Sequence, residues 1–195
     1  MIKFAITGGI GSGKSYVSSL LEERGIPIYN ADLESKRLTV QDEGIRKELV
    51  ALLGEDIYQG ATLNKPLLAS YLFANSDNAV KVNSIIHPRV KDDFRRWVES
   101  QKDVPLVGLE SAILYESGFD DVVDQVVMVY APEAVRLQRA MKRDNATEEQ
   151  VRARMSAQMD DEEKRSKADF VLMNDGIMPL DVQLDDLVRF LKKGK

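Results

Sequence analysis

An α/β fold built on a parallel sheet is the architecture this 195-residue sequence predicts, on three observations. Ile2 to Thr7 is a short apolar run ending in glycines, the pattern of a buried parallel strand that feeds a turn. From Lys14 onward Val17, Leu20 and Leu21 keep helical spacing, and Gly25 stops that helix before a second short strand at Ile26 to Tyr29. Strands return at Val104 to Leu109 and Val122 to Tyr130, and alternation of β and α implies a parallel sheet with helices layered on it.

The later elements follow the same rules. The strand ending at Tyr130 meets Ala131-Pro132-Glu133, where proline at a first helical position opens a new helix. A short strand at Phe170 to Met173 precedes a final amphipathic helix through Leu180, Leu184, Leu187, Val188 and Leu191. From Asp32 to about Lys102 the pattern is helical with no period-2 segment, and Gly44, Gly54, Gly60, Pro66 and Pro88 divide it into pieces. That stretch reads as an all-helical insert, in which Val90, Phe94, Trp97 and Val98 share a face that packs into a core.

Composition sets the limits. A chain this long with 44% hydrophobic residues closes one substantial core, so one domain with inserts is expected. The absence of cysteine excludes a disulfide framework and Cys-ligated zinc or iron-sulfur sites, and agrees with the cytoplasm. The six-residue N-terminal run is too short for a signal-peptide core or a membrane span, so no membrane association is expected. A net charge of −5 argues against general polyanion binding, and no nucleic-acid partner is expected. The basic residues nevertheless cluster: Arg89, Lys91, Arg95 and Arg96; Arg136, Arg139, Lys142 and Arg143; and Arg152, Arg154, Lys164, Arg165 and Lys167. Local arginines on an acidic protein suit a small phosphorylated ligand.

Gly8-Gly9-Ile10-Gly11-Ser12-Gly13-Lys14-Ser15 matches the phosphate-loop pattern G-x-x-x-x-G-K-[ST], with a strand before it and a helix after it. Glycines let backbone N–H groups turn toward phosphate oxygens, and the helix N-terminus adds partial positive charge. Gly11, Ser12, Gly13, Lys14 and Ser15 are therefore expected to hold ATP, Lys14 reaching the β- and γ-phosphates and the Ser15 hydroxyl holding Mg²⁺. A dinucleotide fingerprint fails on spacing, since it needs glycine where Lys14 or Tyr16 stands.

The acceptor side separates a kinase from other nucleotide-binding proteins. No guanine-reading Asn-Lys-x-Asp run is present. Asp32 is the first carboxylate after the second strand, and strand ends in such sheets open onto the ligand crevice. It is placed to take the proton of an acceptor hydroxyl, and equally to cap the next helix. Arg136, Arg139 and Arg143 form an i, i+3, i+7 stripe, with Glu133 and Asp144 near enough to neutralise part of it. Arg139 and Arg143 are the expected clamps on the transferring phosphoryl group. Glu110 ends the third strand, where an acid binds Mg²⁺ directly or through water. His87, the only histidine, precedes Pro88, a pair that favours an extended or capping conformation at a helix start.

With these pieces in order, the chain resembles the dephospho-CoA kinases nearly end to end. The resemblance rests on Thr7 to Ser15, Ala31-Asp32, His87-Pro88, Ile113-Leu114-Tyr115-Glu116, Arg139 with Arg143-Asp144, Ala157-Gln158, Ala168-Asp169 and Asn174. It implies a P-loop NTPase fold of three α/β/α layers divided into a core (about 1–32, 103–138 and 159–195), a helical CoA-binding insert (about 33–102) and a lid (about 139–158) that closes over the phosphates. It also implies ATP-dependent phosphorylation of the ribose 3′-hydroxyl of dephospho-CoA with Mg²⁺. Asp32 is then the base, while His87, Lys36 and Glu110 belong to the acceptor side. The chain departs from the family at Tyr16 for threonine, Asn30 for aspartate and Ala112 for proline. Asn30 leaves Asp32 the only carboxylate of its triplet, and Tyr16 sets a ring beside the nucleotide. A nucleoside or nucleotide kinase, a non-catalytic ATP-binding module, and a monomer or small homo-oligomer all remain open at this point.

Overall fold

The computed structural model describes residues 1–194 and divides into two compact units, one of Met1–Asn30 with the chain from Gln101 onward, the other of Ala31–Ser100. In the first unit β1 (Ile2–Thr7), β2 (Ile28–Asn30), β5 (Leu106–Glu110), β6 (Gln125–Tyr130) and β7 (Phe170–Met173) form a parallel sheet in the order β2-β5-β1-β6-β7. The central strand pairs on both sides, Phe4 standing opposite Gly108 and Gln125.

Side chains alternate faces along a strand. Phe4, Ile6, Leu106, Val127, Val129 and Leu172 therefore share one face, where Val17 and Leu21 of α1 (Lys14–Glu22) and Leu184, Leu187 and Leu191 of α9 (Leu180–Lys193) close the main core. The intervening Ala5, Val107, Leu109, Val126 and Met128 are buried as well, which is why these strands read as continuous apolar runs. Between β6 and β7 lie α6 (Glu133–Asp144), α7 (Glu148–Ser156) and α8 (Asp161–Lys167), with α8 against β6.

Three strand bounds shift from the expected ones. The second strand starts at Ile28 and the third at Leu106, while Phe119–Val122 is a 3-10 turn, so the fourth begins at Gln125. Pro132 lies just outside α6, its ψ of 145° being extended, and Glu133 is the first helical residue.

The second unit holds α2 (Ala31–Gln41), α3 (Glu43–Leu53), α4 (Lys65–Ala74) and α5 (Ser76–Ser100), with α5 packed on the other three. It is not all-helical. Tyr58–Gln59 (β3) and Thr62–Leu63 (β4) form an antiparallel hairpin, stabilised by Arg46 4.0 Å from the centre of the Tyr58 ring. Nor do two of the expected breaks occur. Gly44 sits in the first turn of α3, which Asp42 caps by accepting from Ile45 N at 2.8 Å. Pro88 lies inside α5. The helix continues through it because Val82, Ile86, Val90 and Phe94 recur every fourth residue and are all buried, and that packing outweighs one missing N–H donor. The expected face is present: Trp97 stacks on Phe94 at 6.0 Å between ring centres.

Candidate active site

Leaving β1, the chain turns through Gly8 to Gly13 into α1, whose first residue is Lys14. Gly11 and Gly13 take φ of +81° and +92°, left-handed backbone that costs an ordinary residue ~1–2 kcal/mol. Space imposes the same choice. A β-carbon on Gly11 would stand 2.2 Å from the Arg136 carbonyl oxygen, and one on Gly13 2.2 Å from Asn174 Nδ2. No side chain caps α1, and no acid of its own first turn offsets its positive end.

Lys14 curls back over this loop, its Nζ donating to Gly8 O at 2.7 Å and Gly9 O at 3.3 Å. One residue on, Ser15 Oγ donates to Glu110 Oε1 at 2.7 Å, and Asn30 Nδ2 donates to Glu110 Oε2 at 3.5 Å. Asn30 and Glu110 are register partners at the ends of β2 and β5. Sheet pairing thus fixes the carboxylate that faces the serine. A hydroxyl and a carboxylate side by side suit Mg²⁺, which takes oxygen ligands and usually only one or two protein groups beside water and phosphate oxygens. Ser15 and Glu110 would hold the ion.

The rest of the first unit props the loop from outside. Asn174, just past β7 and nearly buried, donates from Nδ2 to Ser12 O at 2.8 Å, and its own carbonyl accepts from Arg139 Nη1 at 2.8 Å. Gln158 Oε1 accepts from Ile10 N at 3.2 Å. Under Gly9 lie Arg136 and Asp161, an ion pair of 3.0 Å between two side chains about one-tenth exposed. Arg136 Nε points its hydrogen at Ala131 O, so the pair is held by charge rather than by an aligned hydrogen bond. Fully buried Lys164 binds Ala112 O at 2.9 Å and Glu116 Oε1 at 3.0 Å.

The structure therefore brings together Gly11, Ser12, Gly13, Lys14, Ser15 and Glu110, with Arg139 tied to Ser12 through Asn174. Arg143 is not among them. It is 64% exposed and turned onto its neighbour Asp144, at 2.7 and 3.0 Å, and that contact together with Arg154 holds the Asp144 carboxyl well below the usual range. Arginines of the stripe thus have separate partners, Arg136 on Asp161, Arg139 on a carbonyl and Arg143 on Asp144. Tyr16 is exposed on the first turn of α1.

Asp32, Lys36 and His87 belong to the second unit. Asp32 and Lys36 are exposed on the first two turns of α2, and Asp32 is the second helical residue rather than its cap. By the chain, Asp32 follows Asn30 after one intervening residue. His87 is half-buried in α5, and burial, reinforced by Lys91, lowers its pKa so that the neutral imidazole prevails at neutral pH. Sequence reasoning missed the roles of Arg136, Asp161, Lys164 and Asn174. Arg136 showed only as part of the arginine stripe, Lys164 only within a basic cluster and Asn174 only through the resemblance, while Asp161 left no trace.

A strand, a glycine loop over a helix N-terminus, and a lysine and a serine-carboxylate pair beside it define a P-loop nucleotide-binding protein. The dephospho-CoA kinase family model matches residues 2–179. A dephospho-CoA kinase of Bacteroides fragilis is 55% identical over 190 residues, covering 97% of this chain and 93% of the relative. A solved protein of Thermus thermophilus superposes with a TM-score of 0.81 at 35% identity, covering 98% of this chain and 95% of that one. The dephospho-CoA kinase of Campylobacter jejuni gives 0.68 at 21% identity over 98% and 97%, a likeness of fold. This chain belongs to the dephospho-CoA kinase family. Among the described residues no helix is long and apolar enough to cross a membrane.

Proposed function

We propose that the chain transfers the γ-phosphate of ATP to the ribose 3′-hydroxyl of dephospho-CoA, with Lys14, Ser15, Glu110 and Asp32 carrying the chemistry. The observation that supports it most is the Ser15–Glu110 contact of 2.7 Å directly beside Lys14, in a chain whose family membership supplies the acceptor. Amides of Gly11 to Ser15 and the Lys14 ammonium bind the β- and γ-phosphates and balance the charge that moves during transfer. Mg²⁺ held by Ser15 and Glu110 would supply Lewis-acid stabilisation of the phosphate charge. Asp32, on the first turn of α2, accepts the proton of the attacking hydroxyl.

Residues about 33–102 form the acceptor-binding part, with Lys36 meeting an acceptor phosphate and neutral His87 offering a hydrogen bond. Residues about 139–158 act as a lid over the phosphates. Arg139 enters through its tie to Asn174, and Gln158 tethers the far end of this stretch to the loop at Ile10. Tyr16 packs on the nucleotide from the first turn of α1, and Arg143, held at the surface by Asp144, reaches phosphate only by leaving that partner. Closure excludes water and so restrains ATP hydrolysis.

ADP release from Mg²⁺ and ATP tests this, with dephospho-CoA, adenosine, AMP or no acceptor and with product mass read in parallel. Turnover with dephospho-CoA alone and a product heavier by one phosphoryl group is expected. Turnover with AMP or adenosine alone would make the protein a nucleotide or nucleoside kinase.

A further inference from the structure

The Arg136–Asp161 pair is an expensive feature in an unusual place. Two opposite charges are buried under a loop whose task is to bind a polyanion, and a buried pair seldom contributes net stability. Its location explains more than its energy. A β-carbon on Gly9 would stand 2.4 Å from Arg136 Nη1 and 2.6 Å from both carboxylate oxygens of Asp161, so the loop backbone rests directly on the two head groups. The Arg136 carbonyl meets Gly11 in the same way. Asp161 Oδ2 is buried without an aligned donor. The charges that face the carboxylate are Arg136 from α6, Lys164 and Asp160 from α8 and its cap, and Lys14 from the start of α1. Burial raises the Asp161 pKa, and the three cations counter that rise.

Lys14 therefore has two anions within electrostatic reach, Asp161 and the triphosphate. We propose that Arg136 is a positioning residue of the nucleotide site: seated beneath Gly9 and paired with Asp161, it neutralises that carboxylate and so leaves Lys14 to the phosphates. The inference rests on the reading of this loop as the ATP site. Its consequence is that neither charge can be judged alone. Without Arg136 the carboxylate competes for Lys14 and repels the incoming triphosphate. Without either charge that competition disappears.

The test is a double-variant cycle on the full chain, reading KM for ATP, KM for dephospho-CoA and the melting temperature of each protein. Arg136→Gln is expected to raise KM for ATP by at least ~10-fold, with KM for dephospho-CoA changed less than ~2-fold, because a buried carboxylate is left unpaired. Adding Asp161→Asn to that variant is expected to bring KM for ATP back to within ~3-fold of the original. A double variant as weak for ATP as Arg136→Gln, or weaker, overturns the proposal, as does a parallel loss for both substrates that follows melting temperature. Should Arg136→Gln not fold, the double variant and Asp161→Asn alone carry the test, and a rise above ~10-fold in KM for ATP in both overturns it. Lys14→Ala separates the two levels. Unaltered ATP kinetics there would refute the ATP-site reading itself, whereas collapse there without rescue in the double variant refutes only the role of Arg136.

Discussion

Gly13→Ala puts the geometry of the phosphate loop to a quantitative test. The residue holds φ at +92°, and a β-carbon there stands 2.2 Å from Asn174 Nδ2, well inside van der Waals contact. Left-handed backbone costs alanine ~1–2 kcal/mol. The contact can be relieved only by moving the Asn174 amide, which breaks its 2.8 Å bond to Ser12 O at a fully buried residue. Stranding that acceptor costs ~1–3 kcal/mol, for a total of ~2–5 kcal/mol. In a chain of 195 residues this lowers Tm by roughly 4–20 °C. Thermal unfolding of the original protein, Gly13→Ala, Asn174→Ala and the double variant checks the sum. In the Asn174→Ala background the methyl meets open space, so Gly13→Ala should then cost only its backbone share of ~1–2 kcal/mol. Equal losses in both backgrounds would refute the steric half of the reasoning, and a loss below ~1 kcal/mol in the original background would refute the backbone half.

Asp32→Ala should lower kcat ~10²- to 10⁴-fold while leaving ATP affinity nearly intact; a loss under tenfold by steady-state assay removes Asp32 as the base. Glu110→Gln keeps the acceptor for Ser15 and removes one buried charge, so Mg²⁺ half-saturation should rise ~10- to 100-fold without loss of Tm. An unchanged Mg²⁺ titration would exclude Glu110 from the ion site. His87, the only histidine, has a folded pKa below its ordinary value, so in acid the unfolded chain binds the extra proton first. Its contribution to stability is present above pH ~6.5 and fades as pH falls through the folded pKa. Tm of His87→Gln measured between pH 5 and 7.5 should fall less steeply toward acid than that of the original, and parallel curves would contradict the assignment.

What the sequence made legible follows from the range of the forces involved. The loop at Gly8 to Ser15, the strand at Phe170 to Met173 and the apolar stripe of α9 are local patterns, and each stands where expected. The hairpin at Tyr58 and Leu63 has strands of two residues, too short for a period to show. Pro88 misled because its local cost is real, and only the burial of residues four apart on either side reveals why α5 absorbs it. Arg136 and Asp161 are 25 positions apart and Asn174 is 162 from Ser12, so nothing local announces their meeting under the loop. The stripe of arginines was visible, but which anion each would take was not, since Asp144, Asp161 and the Asn174 carbonyl come from separate turns of the chain.

Sheet order also sets a timetable for synthesis. The strand β1 lies in the middle of the sheet, and both of its neighbours lie far along the chain, β5 from Leu106 and β6 from Gln125. At ~5–20 residues per second, β1 waits ~5–20 s on the ribosome before its first partner exists. In that interval the whole second unit, Ala31–Ser100, has been made and can fold on its own contacts. The nascent chain then carries an unpaired apolar strand, Phe4-Ala5-Ile6, ahead of a second unit whose helices and hairpin are complete in sequence, and holding that strand soluble is the task left to the cell's chaperones.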